Sequence, residues 1–248
     1  MKLTVLGCSG SYPGPDSPAS GYLVEHDGHR IVLDLGNGAF GALQRFADPD
    51  GIEAVVLSHL HADHCLDLCG YWVQRKYRYG QPLPALPVYG PAGTGDRLAR
   101  AYGMPADPGM NAEFDFRSVA DGPIEIGPFR ITTAAMVHSI TAYAIRVEAA
   151  GRALVYSGDT AENDELVRLA AGCDLALLEA SYLDGQPYPP GIHLSARSSG
   201  RTAAAAGAGR LVITHLVPGY RREDLAAQAA TAYDGDLALA AAGAQYEV

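Results

Sequence analysis

The chain has 248 residues, 48% of them hydrophobic and 19% charged, with a formal net charge of −10. That length fits one large domain with a substantial core, and no apolar run approaches the roughly 18–20 residues that a bilayer-spanning helix needs. The acidic balance argues against a protein that grips long nucleic acid, because neutralisation of phosphates by Lys and Arg dominates such affinity. The opening Met1-Lys2-Leu3-Thr4-Val5-Leu6-Gly7 is too short and too strand-like for a signal-peptide core, so a cytoplasmic protein is expected. Cys8, Cys65, Cys69 and Cys173 form no C-x-x-C pair and read as buried free thiols, with Cys65 a secondary candidate ligand.

In chain order, residues 2–7 read as a first strand. A turn-rich loop of ~14 residues follows to Gly21, long enough to suspect a function. Strands at 22–25 and 30–33 are joined by His26-Asp27-Gly28-His29, where Asp-Gly is a hairpin signal that places both histidines at an exposed turn. Asp34-Leu35-Gly36-Asn37-Gly38 ends the second of these strands and opens a helix through Phe46.

The buried strand Ala54-Val55-Val56-Leu57 then delivers Ser58-His59-Leu60-His61-Ala62-Asp63-His64-Cys65. A helix cap needs one acceptor, not three imidazoles. Imidazoles mixed with a carboxylate suit zinc and similar first-row divalent ions, and manganese or iron would also fit. One small ion would use three of the four groups, so the fourth suggests a second ion.

Residues 66–79 read as a helix with Tyr71, Trp72, Tyr77 and Tyr79 beside Arg75, Lys76 and Arg78. Such a mixture can hold a phosphate and stack a base. The favoured alternative is an amphipathic helix that buries its aromatics and solvates its charges. A proline-rich segment, a short strand at 88–89 and a helix at 93–102 come next. Strands return at 113–116, 124–126, 129–134, 143–147 and 153–156, which suits two stacked sheets with outer helices. Three further strand exits carry His138, Asp159 and His215, with a helix expected at 161–170 after Asp159. A strand ending in Glu179 is followed by His193, ahead of an alanine-rich helix opened by Ser195 and running to Gly207.

The H-x-H-x-D-H pattern resembles the signature of the metallo-β-lactamase superfamily, and Ser157-Gly158-Asp159-Thr160 resembles its bridging-aspartate motif. The resemblance implies an α/β fold, an αββα sandwich of two stacked mixed sheets with helices outside, formed by a single domain over residues 1–248. It implies two divalent ions, zinc before the others. His59, His61 and His138 would hold one ion, Asp63, His64 and His215 the other, and Asp159 would bridge them. Asp34 would brace the metal loop from behind. In the family's phosphodiesterase branch, which includes transfer-RNA 3′-processing endonucleases, a glutamate pairs with a histidine at the places of Glu179 and His193.

Two departures from the endonucleases are visible. Asn37 stands where they commonly have glutamate. Only 21 positions separate His138 from Asp159, which leaves no room for their RNA-gripping arm. The opening loop with the Cys65-Leu66-Asp67-Leu68 run is close to an actinobacterial group similar to atypical class II cyclic nucleotide phosphodiesterases. The resemblance thus implies hydrolysis of a small phosphodiester such as cyclic AMP by a metal-activated water, with Asp63, His193 and Glu179 as the catalytic set. The alternatives are an RNA or DNA 3′-end nuclease, an ester, thioester or lactam hydrolase, and a metal-binding scaffold without turnover. A homodimer is compatible with the small-residue-rich last third, although no residue there locates an interface.

Overall fold

Fourteen strands form two seven-stranded mixed sheets in the computed structural model, which describes residues 1–248. The first sheet contains β1 (Lys2–Gly7), β2 (Gly21–His26), β3 (His29–Leu35), β4 (Ala54–Val56), β5 (Leu86–Gly90) and β6 (Phe114–Ser118). The second contains β7 (Ile124–Ile126), β8 (Phe129–Ala135), β9 (Tyr143–Ala149), β10 (Arg152–Tyr156), β11 (Leu175–Glu179), β12 (Arg210–Thr214) and β13 (Asp236–Leu239). The last strand, β14 (Gln245–Glu247), returns to pair antiparallel with β1. Helices α1 (Ala39–Leu43), α2 (Ala62–Cys65), α3 (Leu68–Tyr77) and α4 (Thr94–Tyr102) belong to the first half, and α5 (Asp164–Ala170), α6 (Ala196–Ala206) and α7 (Arg222–Ala230) to the second.

The central strands are apolar throughout because both of their faces are covered. Side chains alternate across a strand, so Ile31 and Leu33 of β3 enter the core between the sheets while Val32 packs under the helices, where Leu35 joins it past the left-handed residue Asp34. On β10, Leu154 and Tyr156 face the same central core, and Ala153 and Val155 face α5 and α6. The result is the expected αββα layering. β3 to β6 run parallel, as do β10 to β13, so the exits of β3, β4, β10, β11 and β12 open at carboxyl ends. Ligands of open parallel sheets bind at such ends.

Several local expectations shift. The helix expected at 66–79 is shortened to α3, preceded by the separate short α2, and Asp67 between the two accepts the Phe40 N–H at 2.9 Å. The helix expected from residue 161 begins only at Asp164, because the Asn163 side chain caps it by accepting the Leu166 N–H. Asp159 is therefore free of any capping duty. His26 is turned inward, its side chain only 17% exposed, rather than standing free at the turn. Cys69 is half-buried, whereas Cys8, Cys65 and Cys173 are buried free thiols. No helix is long and apolar enough to cross a membrane.

The basic residues of the 66–79 stretch are engaged within the fold. Arg75 is buried and donates to the carbonyls of Glu113 and Pro84, Lys76 lies over the Trp72 ring, and Arg78 pairs with Asp50. Tyr71 and Trp72 are buried. The helix buries Tyr71 and Trp72 as expected, but Tyr77 and Tyr79 stay exposed, at 66% and 99%, and the cations are paired rather than solvated.

Truncating Leu33, fully buried between the sheets, should destabilise the protein by about 2–5 kcal/mol. Urea unfolding of Leu33→Ala measures this, and a loss below about 1 kcal/mol would be too small for a core leucine.

Candidate metal centre

The metal loop is held from behind by one carboxylate. At the end of β3 the backbone of Asp34 takes a left-handed turn (φ 53°), which places its buried side chain beneath the loop that leaves β4. Asp34 accepts hydrogen bonds from the Ser58 N–H (2.7 Å), the Ser58 hydroxyl (2.6 Å), His64 Nδ1 (2.8 Å) and the Tyr156 hydroxyl (2.7 Å). Tyr156 comes from β10, so this carboxylate joins the two sheets at the site. Gly36 completes the support: a Cβ there would lie 1.8 Å from the carbonyl oxygen of Asp63, so no other residue lets the chain segments approach so closely.

Seven donors then converge in two overlapping sets, His59, His61, His138 and Asp159, and Asp63, His64, Asp159 and His215. In the first, His61 Nδ1 lies 3.1 Å from both His59 Nε2 and His138 Nε2, and Asp159 Oδ2 is 3.6 Å from His59 Nε2. In the second, His64 Nε2 is 3.4 Å from Asp63 Oδ2 and 3.3 Å from Asp159 Oδ1. His215 Nε2 is 3.2 Å from Asp63 Oδ2 and 3.4 Å from Asp159 Oδ2. Ligand atoms about one tetrahedral ion with bonds near 2.0–2.1 Å are separated by about 3.3 Å. Asp159 belongs to both sets: its Oδ2 lies toward His59 and His215, and its Oδ1 toward His64.

The residues fit divalent ions on two further grounds. His64 Nε2 and Asp159 Oδ1 are buried with no hydrogen-bond partner, although such groups normally find one. The protonation states of His59, His61, Asp63 and Asp159 suit ligation too. Burial and the neighbouring imidazoles of His64 and His138 push His59 well below its usual range and lower His61, leaving lone pairs free. Burial alone would raise Asp63 and Asp159. The imidazoles of His215 and His64 instead hold both carboxyls below the usual carboxylate range. His64 moves the other way: the carboxylates of Asp159 and Asp34 overcome its burial and raise it well above the ordinary imidazole value. The centre draws positive charge to the point where the second donor set closes.

The outer ring nitrogens of His59, His64, His138 and His215 are engaged by hydrogen bonds, as metal ligation by imidazole favours. His138 Nδ1–H donates to the Ile192 carbonyl at 2.8 Å. His215, also in a left-handed backbone conformation (φ 53°), directs Nδ1 at the Ser181 hydroxyl at 2.8 Å. Ser181 donates to Glu179 Oε2 at 2.8 Å, while Glu179 Oε1 accepts from the Thr160 N–H (2.7 Å) and His193 Nδ1 (2.9 Å). Burial would lower His193, but the Glu179 carboxylate outweighs it and raises the imidazole above its usual value. His59, His64, Asp159 and His215 are buried, whereas His61, His138 and His193 are half-buried and mark the open side.

The structure therefore brings together every residue singled out above: the seven donors, Asp34, Glu179 and His193. Cys65 is the exception among candidate ligands. It is absent from both sets, its thiol donates to the His61 carbonyl at 3.3 Å, and burial pushes it up to about 12. Ser58, Tyr156 and Ser181 were not anticipated. Only adjacency to His59 and to Glu179 marks two of them in the sequence, and nothing local marks Tyr156.

Two mixed sheets between helices, with this donor array at the strand exits, define a metal-dependent hydrolase of the αββα class. The chain belongs to the β-lactamase superfamily: the family model described as "Beta-lactamase superfamily domain" matches residues 19–216. It is 43% identical over 254 residues to an uncharacterized protein of Mycobacterium leprae, covering 100% of this chain and 89% of that one. It is 31% identical over 270 residues to ribonuclease Z of Mycobacterium bovis, covering 95% and 94%, which places it on the ribonuclease Z-like branch. The crystal structure of the metallo-β-lactamase fold protein YhfI from Bacillus subtilis superposes with a TM-score of 0.89 at 27% identity, covering 100% and 99%.

Asp34→Asn would set an amide N–H against a cluster of donors, and should weaken divalent-metal affinity about 10- to 100-fold while the donor residues stay intact. Competition with a chromogenic chelator reads this directly. An unchanged affinity would mean that Asp34 does not orient the loop.

Proposed function

We propose that the protein is a binuclear phosphodiesterase acting on a small phosphodiester, most specifically a 3′,5′-cyclic nucleotide such as cyclic AMP. The observation that carries this reading is the Glu179–His193 pair, 2.9 Å apart, on the open side of the two donor sets. Carbonyl chemistry does not call for such a pair. Phosphoryl transfer does, because charge grows on the phosphoryl oxygens and on the departing alkoxide.

Zinc ions, held by the two sets described above, would supply Lewis acidity and lower the pKa of the attacking water. The protein's own groups do the rest. Asp63, kept ionised by His215 and His64, accepts a hydrogen bond from that water and aims its lone pair at phosphorus. Glu179 fixes the tautomer of His193 by engaging Nδ1, so Nε2 is the nitrogen left for substrate. The Glu179 carboxylate favours the protonated imidazole of His193, which transfers its proton to the leaving oxygen as the P–O ester bond breaks and the new P–O bond forms.

Compactness supports a small substrate. β9 and β10 fill the interval between His138 and Asp159 and are joined by the tight turn at Ala150-Gly151. The net charge of −10 weighs the same way. Similarity to ribonuclease Z over nearly the whole chain favours a second reading, cleavage at RNA ends by the same residues.

The deciding assay offers cyclic AMP and a short single-stranded RNA to the protein with added zinc or manganese. Cyclic AMP is expected to be hydrolysed, and His193→Ala to lower kcat about 10²- to 10⁴-fold with metal content unchanged. Cleavage of RNA with cyclic AMP untouched would replace this reading with the nuclease. Activity on neither would overturn both.

A further inference from the structure

The loop between β11 and α6 carries more than His193. It runs through Asp184-Gly185-Gln186-Pro187-Tyr188-Pro189-Pro190-Gly191 and ends at Ile192, whose carbonyl holds the ligand His138 at 2.8 Å. Tyr182 and Tyr188 are stacked, with ring centroids 4.4 Å apart and planes within 11°. Tyr182 also meets His193 edge-to-face at 5.4 Å. One face of Tyr188 is thus covered by Tyr182, yet the residue remains 38% exposed beside the open side of the centre. Val137 and Ile140, on either side of His138, are likewise exposed large apolar groups at the same opening.

Several features restrain this loop. Pro187, Pro189 and Pro190 fix φ on both sides of Tyr188. Asp184 is tied to α7 by reciprocal hydrogen bonds with the Gln228 side chain, at 2.8 and 3.0 Å, and to α6 by Arg197 at 2.8 Å. An exposed aromatic ring already stacked on one face needs less ordering when a second ring is laid on the other. Aromatic side chains stack on any nucleobase, since every base presents a π face.

We propose that the Tyr182–Tyr188 stack is the platform for the base of a nucleotide substrate, so that Tyr188 selects phosphodiesters that carry an aromatic base. The proposal rests on the phosphodiesterase reading of the same centre. It assigns affinity to Tyr188 and leaves the proton transfer to His193. Its signature is a split between base and phosphate recognition.

The test uses the full metal-loaded chain and titration calorimetry with adenosine 5′-monophosphate and with inorganic phosphate. The wild type should bind the nucleotide more tightly than phosphate. Tyr188→Ala should weaken the nucleotide about 5- to 100-fold and leave phosphate unaltered, and Tyr188→Phe should retain wild-type affinity for both. Equal wild-type affinities, a nucleotide affinity indifferent to Tyr188→Ala, or parallel loss of nucleotide and phosphate would each overturn the platform. Cyclic AMP turnover, measured alongside, separates the two ideas. Tyr188-dependent nucleotide binding without turnover removes only the phosphodiesterase, and turnover without Tyr188 dependence removes only the platform.

Discussion

A single buried carboxylate governs this structure. Asp159 lies within 3.3 to 3.8 Å of nitrogens on His64, His215, His59 and His193. An ionised carboxylate without counter-charges would cost several kcal/mol at that depth. Here the imidazoles of His215, His64 and His59 hold it ionised. The same clustering crowds His59 and His61 with neighbouring imidazoles and leaves buried atoms of His64 and Asp159 without hydrogen bonds. Divalent ions shared through Asp159 would relieve both problems together. Asp34, the Ser181–Glu179 link and the strand exits all hold other residues in place around this carboxylate.

The fold serves that arrangement by geometry more than by local sequence. Asp159 and His215 leave parallel strands of one sheet, and the His59–His64 loop leaves a parallel strand of the other. The facing carboxyl ends make a centre that neither sheet could form alone. The Tyr156 hydroxyl on Asp34, and the Tyr22 hydroxyl 2.6 Å from Thr214 Oγ1, cross between the sheets near this edge. These polar links set the sheets in register in a way that apolar packing does not.

Much of the centre was legible because ligation is written in residue type and order. Four groups in six positions after an apolar strand, then His138, Asp159 and His215 at later strand exits, form a pattern that packing does not require. Strands buried on both faces were legible for a related reason: their apolar runs are continuous and sharply bounded. What stayed hidden depends on tertiary contact. Ser181 and Tyr156 matter through partners 34 and 122 residues away, and no local spacing records such distances. The basic residues of α3 invite a phosphate-binding interpretation, yet their partners Asp50, Glu113 and Pro84 lie elsewhere in the chain. Helix α7 and the last two strands escaped because only Leu225 and Ala229 of the helix are buried, and β13 and β14 are short and half-exposed.

Elemental analysis of the purified protein after equilibration with zinc and removal of excess metal tests the shared-carboxylate account most directly. Wild type should retain two ions per chain, and Asp159→Ala, with its fold verified by circular dichroism, should retain at most one. A wild-type protein holding a single ion, or an Asp159→Ala variant that still holds two, would contradict the claim that this carboxylate joins two metal sites.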